Sequence, residues 1–228
     1  MATELTWLGH GSWFIQIGQT TVLLDPFLND SPTAPAKAED VSADFILVSH
    51  GHYDHVADVV SIARRTGAQV IANFEITQWL ANKHGIENTL GMNLGGRVSL
   101  PFGTVKMTIA WHSSQLPDGA DGGNPGGFLL TLADGTLYFA CDTALFSDMR
   151  LIAGGVDLAI LPIGDLFTMG PEDALDAVKL IGPKRVIPDH YNTWPPIEQD
   201  AAAWARSVRD QTSSEPIVLE PGGKTALA

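Results

Sequence analysis

The sequence predicts an α/β protein built as a four-layer αββα sandwich. Three observations point there. Short strands and hairpins come first, strand–helix alternation follows, and the same order then repeats, as expected of two similar halves that each carry a sheet with helices outside. A chain of 228 residues with 45% apolar side chains can fill a core of that size, and no linker or low-complexity stretch divides it, so residues 1–228 read as one domain. Gly (23) and Pro (14) are numerous enough to turn many short elements.

The elements read in order as follows. Residues 5–8, 13–17 and 21–24 are β-rich runs separated by Gly9, Gly11 and Gly18, which predicts three strands. Residues 29–43 are rich in Pro, Ala and Ser and read as a loop. The unbroken apolar run 45–48 reads as a strand buried on both faces, ending at Ser49-His50. Val56, Val59, Val60 and Ala63 fall at helical spacing, with Gly67 as the stop. A strand at 69–72 leads to a helix over 74–84 closed by Gly85, and a strand over 105–112 ends on His112. Residues 113–127 are polar and Gly-rich, without periodicity, and read as a mobile flap beside a site. A hairpin of 128–132 and 137–141, turned by Ala133-Asp134-Gly135, delivers Asp142. Then come a strand over 157–161, a helix over 171–180 with Pro171 and two acids in its first turn, and a strand over 185–187 leading to His190. A helix over 198–210 and a closing strand at 217–219 complete the chain.

Composition narrows the function. No run approaches the ~18–20 apolar residues of a membrane span, and Met1-Ala2-Thr3-Glu4-Leu5 lacks the start of a signal peptide, so a cytoplasmic protein without membrane partners is expected. Cys141 is the only cysteine, which leaves no intrachain disulfide. The net charge of −13 gives a poor surface for nucleic acid, whose affinity comes from Lys and Arg at phosphates. A small-molecule substrate is the expected partner.

The chemistry gathers at His50-Gly51-His52-Tyr53-Asp54-His55, where three of the seven histidines and an aspartate follow a buried strand. Imidazole and carboxylate suit zinc, manganese, iron or nickel, and the absence of thiolate removes the softest metals. His112, Asp142 and His190 each read as terminating a strand, and a layered sheet lines such ends along one edge, where they converge. Asp25, after the strand 21–24, and His10, in a Gly-His-Gly turn, are candidates to fix histidine tautomers behind the ligands. The plainer alternatives are a strand terminator and a packed turn residue. His84, at a helix C-terminus, reads as structural. Thr168, Tyr191, Asn192 and Trp194 flank strand ends and are candidates for substrate contact, with local loop packing as the alternative. Cys141 reads as a small buried residue facing away from Asp142.

Longer stretches carry a family resemblance: Thr6-Trp7-Leu8-Gly9-His10, Leu24-Asp25-Pro26, the cluster at 50–55, residues 142–149 (Asp-Thr-Ala-Leu-Phe-Ser-Asp-Met), residues 167–174 (Phe-Thr-Met-Gly-Pro-Glu-Asp-Ala) and residues 190–196 (His-Tyr-Asn-Thr-Trp-Pro-Pro). From end to end the chain resembles the metallo-β-lactamase superfamily. Within it the chain resembles a family of little-characterised metal-dependent hydrolases related to L-ascorbate-6-phosphate lactonase. The resemblance implies the metallo-β-lactamase form of the sandwich and two divalent metals. His50, His52 and His112 would hold the first, Asp54, His55 and His190 the second, and Asp142 would bridge them. It also implies a homo-oligomer, by analogy with the lactonase. Two departures stand out: Cys141 where the family usually has Gly, and Leu166 where a polar Asn is frequent, which bears on what the pocket accepts.

Two metals about 3.5–4 Å apart can activate a shared water as nucleophile. Asp54 is then the candidate for orienting it and shuttling a proton. The reading is hydrolysis of a small ester, lactone or phosphoester. The alternatives are a phosphodiesterase or nuclease of the same fold, disfavoured by charge, and a di-iron oxidoreductase. Flavodiiron relatives usually carry Glu at the position of His52 and an added flavodoxin-like domain, and this chain has neither. A β-lactamase would generally place a Cys ligand where Asp142 stands.

Overall fold

A computed structural model describes residues 2–228. Two mixed seven-stranded sheets form the framework. The first has the order β14-β1-β2-β3-β4-β5-β6, from β1 (Thr3–Trp7), β2 (Trp13–Ile17), β3 (Thr20–Leu24), β4 (Phe45–Leu47), β5 (Gln69–Asn73), β6 (Thr89–Met92) and β14 (Lys224–Ala226). The second has the order β13-β12-β11-β10-β9-β8-β7, from β7 (Arg97–Leu100), β8 (Gly103–Ile109), β9 (Gly126–Leu132), β10 (Gly135–Phe139), β11 (Leu158–Pro162), β12 (Arg185–Asp189) and β13 (Glu215–Pro216). In each sheet a run of antiparallel pairs gives way to parallel ones, at β3–β4 and at β10–β11. This is the expected metallo-β-lactamase sandwich.

Side-chain alternation builds the layers. Val22, Leu24, Leu47 and Ile71 point inward and join Trp13, Phe128, Leu130 and Ile160 in the core between the sheets. Their neighbours Leu23, Ile46, Val48, Val70 and Ala72 point outward, into a second core under α2 (Val59–Thr66) and α3 (Phe74–His84). On the far side α4 (Pro171–Ile181) and α5 (Ala201–Gln211) cover the second sheet through Ala174, Val178, Trp204 and Val208.

Several boundaries differ from expectation. The helix expected through Val56 and Ala63 is two pieces, α1 (Tyr53–Val56) and α2. Asp58 stands at the break because its Oδ2 accepts from Leu28 N (2.7 Å) and Asn29 N (3.0 Å), anchoring the 26–30 loop. The strand expected over 105–112 stops at Ile109, and the one over 137–141 stops at Phe139, so His112 and Asp142 each sit on loops three residues beyond their strands. Gly135 already pairs with Leu132, so the hairpin turns on Ala133-Asp134 alone. Residues 217–219 are not a strand: after β13 the chain leaves the second sheet, crosses to the first, and closes it as β14 beside β1. The short, half-polar strands β6 and β7 carry too little alternation to be seen in the sequence.

The expected flap is tied down. Asn73 Nδ2 donates to the carbonyls of Gly122 (2.6 Å) and Asn124 (3.0 Å), Ser114 Oγ accepts from Gly51 N (3.0 Å), and Leu116 is buried in the outer core. Asp118 pairs with Trp79 and Lys83 of α3. No described helix is long and apolar enough to cross a membrane.

Candidate metal centre

The C-terminal ends of β4, β10 and β12 open onto one edge, where the loops after them carry the cluster. His50, His55, Asp142 and His190 are buried, while His52 and His112 are partly open. Asp142 Oδ2 is the hub: it lies 3.1 Å from His190 Nε2, 3.4 Å from His55 Nε2, 3.6 Å from His112 Nε2 and 3.9 Å from His50 Nε2. On one side of it His50 Nε2 and His112 Nε2 lie 2.9 and 3.2 Å from His52 Nδ1. On the other, Asp54 Oδ2 lies 3.9 Å from His55 Nε2. Among the described residues three groups could hold a metal ion, His50, His52 and His112, then His10, Asp54, His55 and His190, and behind them Asp25, His50 and His55, each with donor atoms within 4.8 Å of one another. All seven expected ligands are therefore brought together.

The donor chemistry fits a cation. His55 Nε2 and His190 Nε2 are buried without a hydrogen-bond partner among the described residues, and both face the hub. A buried lone pair left unmatched is costly, and a metal ion would satisfy it. On the outer side Nδ1 of His55 and of His50 is matched, while His190 Nδ1 has no partner among the described residues. Ser49 N (2.7 Å) and Ser49 Oγ (2.5 Å) donate to the two oxygens of Asp25, whose Oδ2 also accepts from His55 Nδ1 (2.9 Å). With its hydroxyl proton committed to Asp25, Ser49 Oγ accepts from His50 Nδ1 (2.9 Å). The protons of His55 and His50 are thus held on Nδ1, which leaves Nε2 free to coordinate. Asp25 stands where the sequence placed it, behind the ligands; Ser49, its partner, was missed. The only sequence signal for Ser49 was its place between the strand and His50.

His10 lies in the β1–β2 turn, fully buried, with its ring 3.9 Å from that of His190. Its Nε2 is 3.0 Å from Asp54 Oδ2 and its Nδ1 is 2.8 Å from Thr193 Oγ1. Burial, followed by the nearby His190, lowers its pKa to about 3, so it is neutral at neutral pH. An ionised Asp54 can only accept, so His10 donates from Nε2 and accepts the Thr193 hydroxyl proton at Nδ1. Gly11 beside it allows a close approach, since a Cβ there would sit 3.1 Å from His55 Cε1 and press on that ring.

The electrostatics are those of a packed imidazole–carboxylate cluster. Burial lowers the pKa of His50, His52 and His112, and His55 pushes His50 and His52 further down. Burial also opposes charge on His55 and His190, but Asp142 outweighs it and raises both. Asp142 in turn is held well below the carboxylate range, because His190 and His55 overcome its desolvation. Burial works against ionising Asp54 too, and His55 together with the hydrogen bond from His10 prevails.

The expected substrate residues lie in the loops around the cluster, where their side chains make local contacts. Tyr191 is buried and stacks on Trp7 at 5.4 Å, lining a cavity with Trp7, Thr33 and Glu220 and none of the histidines. Asn192 Oδ1 accepts from Gln199 N (2.7 Å). Thr168 Oγ1 donates to the neighbouring Met169 carbonyl (3.2 Å), and Trp194 packs edge-on against His10 at 4.9 Å. These side chains shape the loops around the cluster. His84, against Trp79 at a helix end, is structural as expected. Cys141 faces the core, but its φ of +54° lies in the left-handed region, which explains why glycine is usual there.

Fold and donor set together define a metal-dependent hydrolase of the metallo-β-lactamase class. The model of the beta-lactamase superfamily domain matches residues 20–191. A UPF0173 metal-dependent hydrolase of Heliobacterium modesticaldum is 47% identical over 233 residues, covering 98% of this chain and 97% of the relative. One from Thermus thermophilus is 48% identical over 220 residues, covering 96% of each chain. Among solved structures, Igni18, a metallo hydrolase from Ignicoccus hospitalis, is 32% identical with a TM-score of 0.89, covering 99% of this chain and 98% of that one. The chain belongs to the UPF0173 family of metal-dependent hydrolases within the beta-lactamase superfamily.

Proposed function

We propose that the centre holds two divalent cations, zinc or manganese first and iron or nickel as alternatives, and that the chain hydrolyses a small-molecule ester, lactone or phosphoester. One observation carries this reading: two donor groups, each rich in imidazole, share the single oxygen Asp142 Oδ2. His50, His52 and His112 would hold one ion, Asp54, His55 and His190 the other, and Asp142 both. Bound there, the ions would supply Lewis acidity and a water of lowered pKa.

The chain's own residues do the rest. Asp25 and Ser49 hold a proton on Nδ1 of His55 and His50 and so aim Nε2 of each inward, towards the ions. Asp54 is the more open of the two carboxylates in the centre, with its side chain 25% exposed against 5% for Asp142. His10 holds its Oδ2, leaving Oδ1 to orient the attacking water, take its proton and pass that proton to the leaving oxygen. The net charge of −13 favours a small substrate over a polynucleotide.

The test is metal analysis of protein purified without added metal, followed by a panel of lactones, carboxylic esters and phosphodiesters, run in parallel on Asp54→Asn. Two ions per chain and turnover of a panel member, lost in Asp54→Asn with the metals retained, are expected. Full turnover in Asp54→Asn would remove Asp54 from the chemistry, and one ion per chain would end the dinuclear reading.

A further inference from the structure

The loop between β11 and α4 is anchored at both ends beside the metal centre. At its start, Gly164 packs so closely on His190 that a Cβ there would fall 2.2 Å from the His190 carbonyl oxygen. At its end, Met169 N donates to the carbonyl of Thr143 (3.0 Å), the residue after Asp142. Between these anchors Asp165 N donates to Met169 O (3.1 Å), closing a tight ring with Leu166 and Phe167 at its tip.

That tip is costly to fold. Leu166 has a φ of +56°, and its predecessor Asp165 has +62°. Asp tolerates this region because its Oδ1 takes up the Leu166 N–H (2.8 Å). A leucine gains nothing comparable, and its side chain is 66% exposed. Asn or Gly at this position would relieve the backbone and cover no less apolar surface. Strain at a loop tip beside a reactive centre, on a side chain left mostly exposed, points to a residue kept for what it contacts.

Leu166 is not alone. Phe167 is 57% exposed and Trp111, the residue before His112, is 65% exposed. Thr143 holds Trp111 in place, through Oγ1 accepting from Trp111 N (2.9 Å), while Ala144 N donates to Trp111 O (3.0 Å). Thr143 therefore ties the Trp111 segment and the Leu166 loop to one point next to Asp142. Ile109, two residues before Trp111 and exposed like it, continues the apolar track into a groove of about 280 Å³ lined by Met107, Phe146, Leu151 and Ile152.

We infer that Leu166, Phe167 and Trp111 form the receiving surface for an apolar group of the substrate. The bond cleaved at the metal centre is then flanked by an aliphatic or aromatic chain. This substrate class rests on the hydrolase reading above.

The test compares p-nitrophenyl acetate with p-nitrophenyl hexanoate in kcat/KM, and acetate with hexanoate in calorimetric binding to the protein as isolated. Wild type should favour the hexanoyl member by roughly 10-fold or more, as expected for a few methylenes leaving water. Leu166→Asn should cut that preference about threefold or more while raising Tm by roughly 2–4 °C, and Leu166→Gly should do the same. Hydrolysis without chain-length preference overturns the receiving surface but not the hydrolase. Chain-length preference in binding without ester hydrolysis overturns the ester reading but not the surface. A Leu166→Asn protein that keeps its preference and instead changes oligomeric state on size exclusion would make this patch a contact between copies, and would overturn the inference.

Discussion

The two edges of the sandwich make their turns differently. At the opposite edge, α2, α3 and α4 end on Gly67, Gly85 and Gly182, all left-handed, and a Cβ at any of them would touch nothing within 4 Å. Glycine adopts that conformation without steric cost. At the edge that carries the metal centre, the same region is filled by His10, Asp25, Cys141, Asp165, Leu166, His190 and Asn192. Each follows the C-terminal end of β1, β3, β10, β11 or β12. None of the non-glycine residues in this region lies at the helix-capping edge. One edge is turned for economy of folding, the other to aim side chains that a glycine could not supply. The strain is borne by the packed sheets beneath.

The largest expected effect breaks the site edge at its hub. Asp142→Asn should lower metal content to less than half that of wild type by elemental analysis, since one oxygen serves both donor groups; undiminished loading would show that the two groups bind independently. Asp25→Asn attacks the layer behind. It should weaken metal affinity by roughly 10–100-fold in a chelator competition, the range for losing a ligand's orienting partner, with the fold intact by circular dichroism.

A third variant tests the buried turn. The pKa of His10 is depressed by burial to about 3, below its value in the unfolded chain. The unfolded state therefore takes up the proton first, so this contribution to stability is present above pH 6.5 and is lost as pH falls towards 3. In metal-stripped protein, His10→Gln should reduce the loss of urea stability between pH 7 and 4.5 by on the order of 2 kcal/mol. Equal pH slopes in variant and wild type would refute it. The smallest effect lies at the opposite edge. Gly85→Ala meets no neighbour but needs φ +66°, so it should cost about 1 kcal/mol in chemical denaturation. A neutral result there would weaken the contrast with Leu166.

Much of this was legible in the chain. His50, His52, Asp54 and His55 are contiguous, so any loop after β4 keeps them together. The order of hairpins and strand–helix units indicated two layered sheets, because period-2 and helical patterns survive local reading. His112 and Asp142 were singled out as candidate donors, although their strands end three residues earlier; the left-handed turn at Cys141 leaves no trace in hydropathy. The surroundings of Tyr191 and Asn192 were not legible, for a related reason. Adjacency to His190 places a residue near the centre, but the direction of its side chain is set by Trp7 and Gln199, which lie far away in sequence.

By itself, the sequence determined the class of fold and pointed to the cluster of candidate donor residues, since these depend on periodicity and residue type. Only the tertiary structure decided that both donor groups meet at one oxygen of Asp142 and that Ser49, Asp25, Thr193 and His10 orient them. It also decided that Leu166 stands strained and exposed at the rim. Those properties depend on how two sheets bring loops more than a hundred residues apart to within hydrogen-bond distance, and no local pattern encodes that.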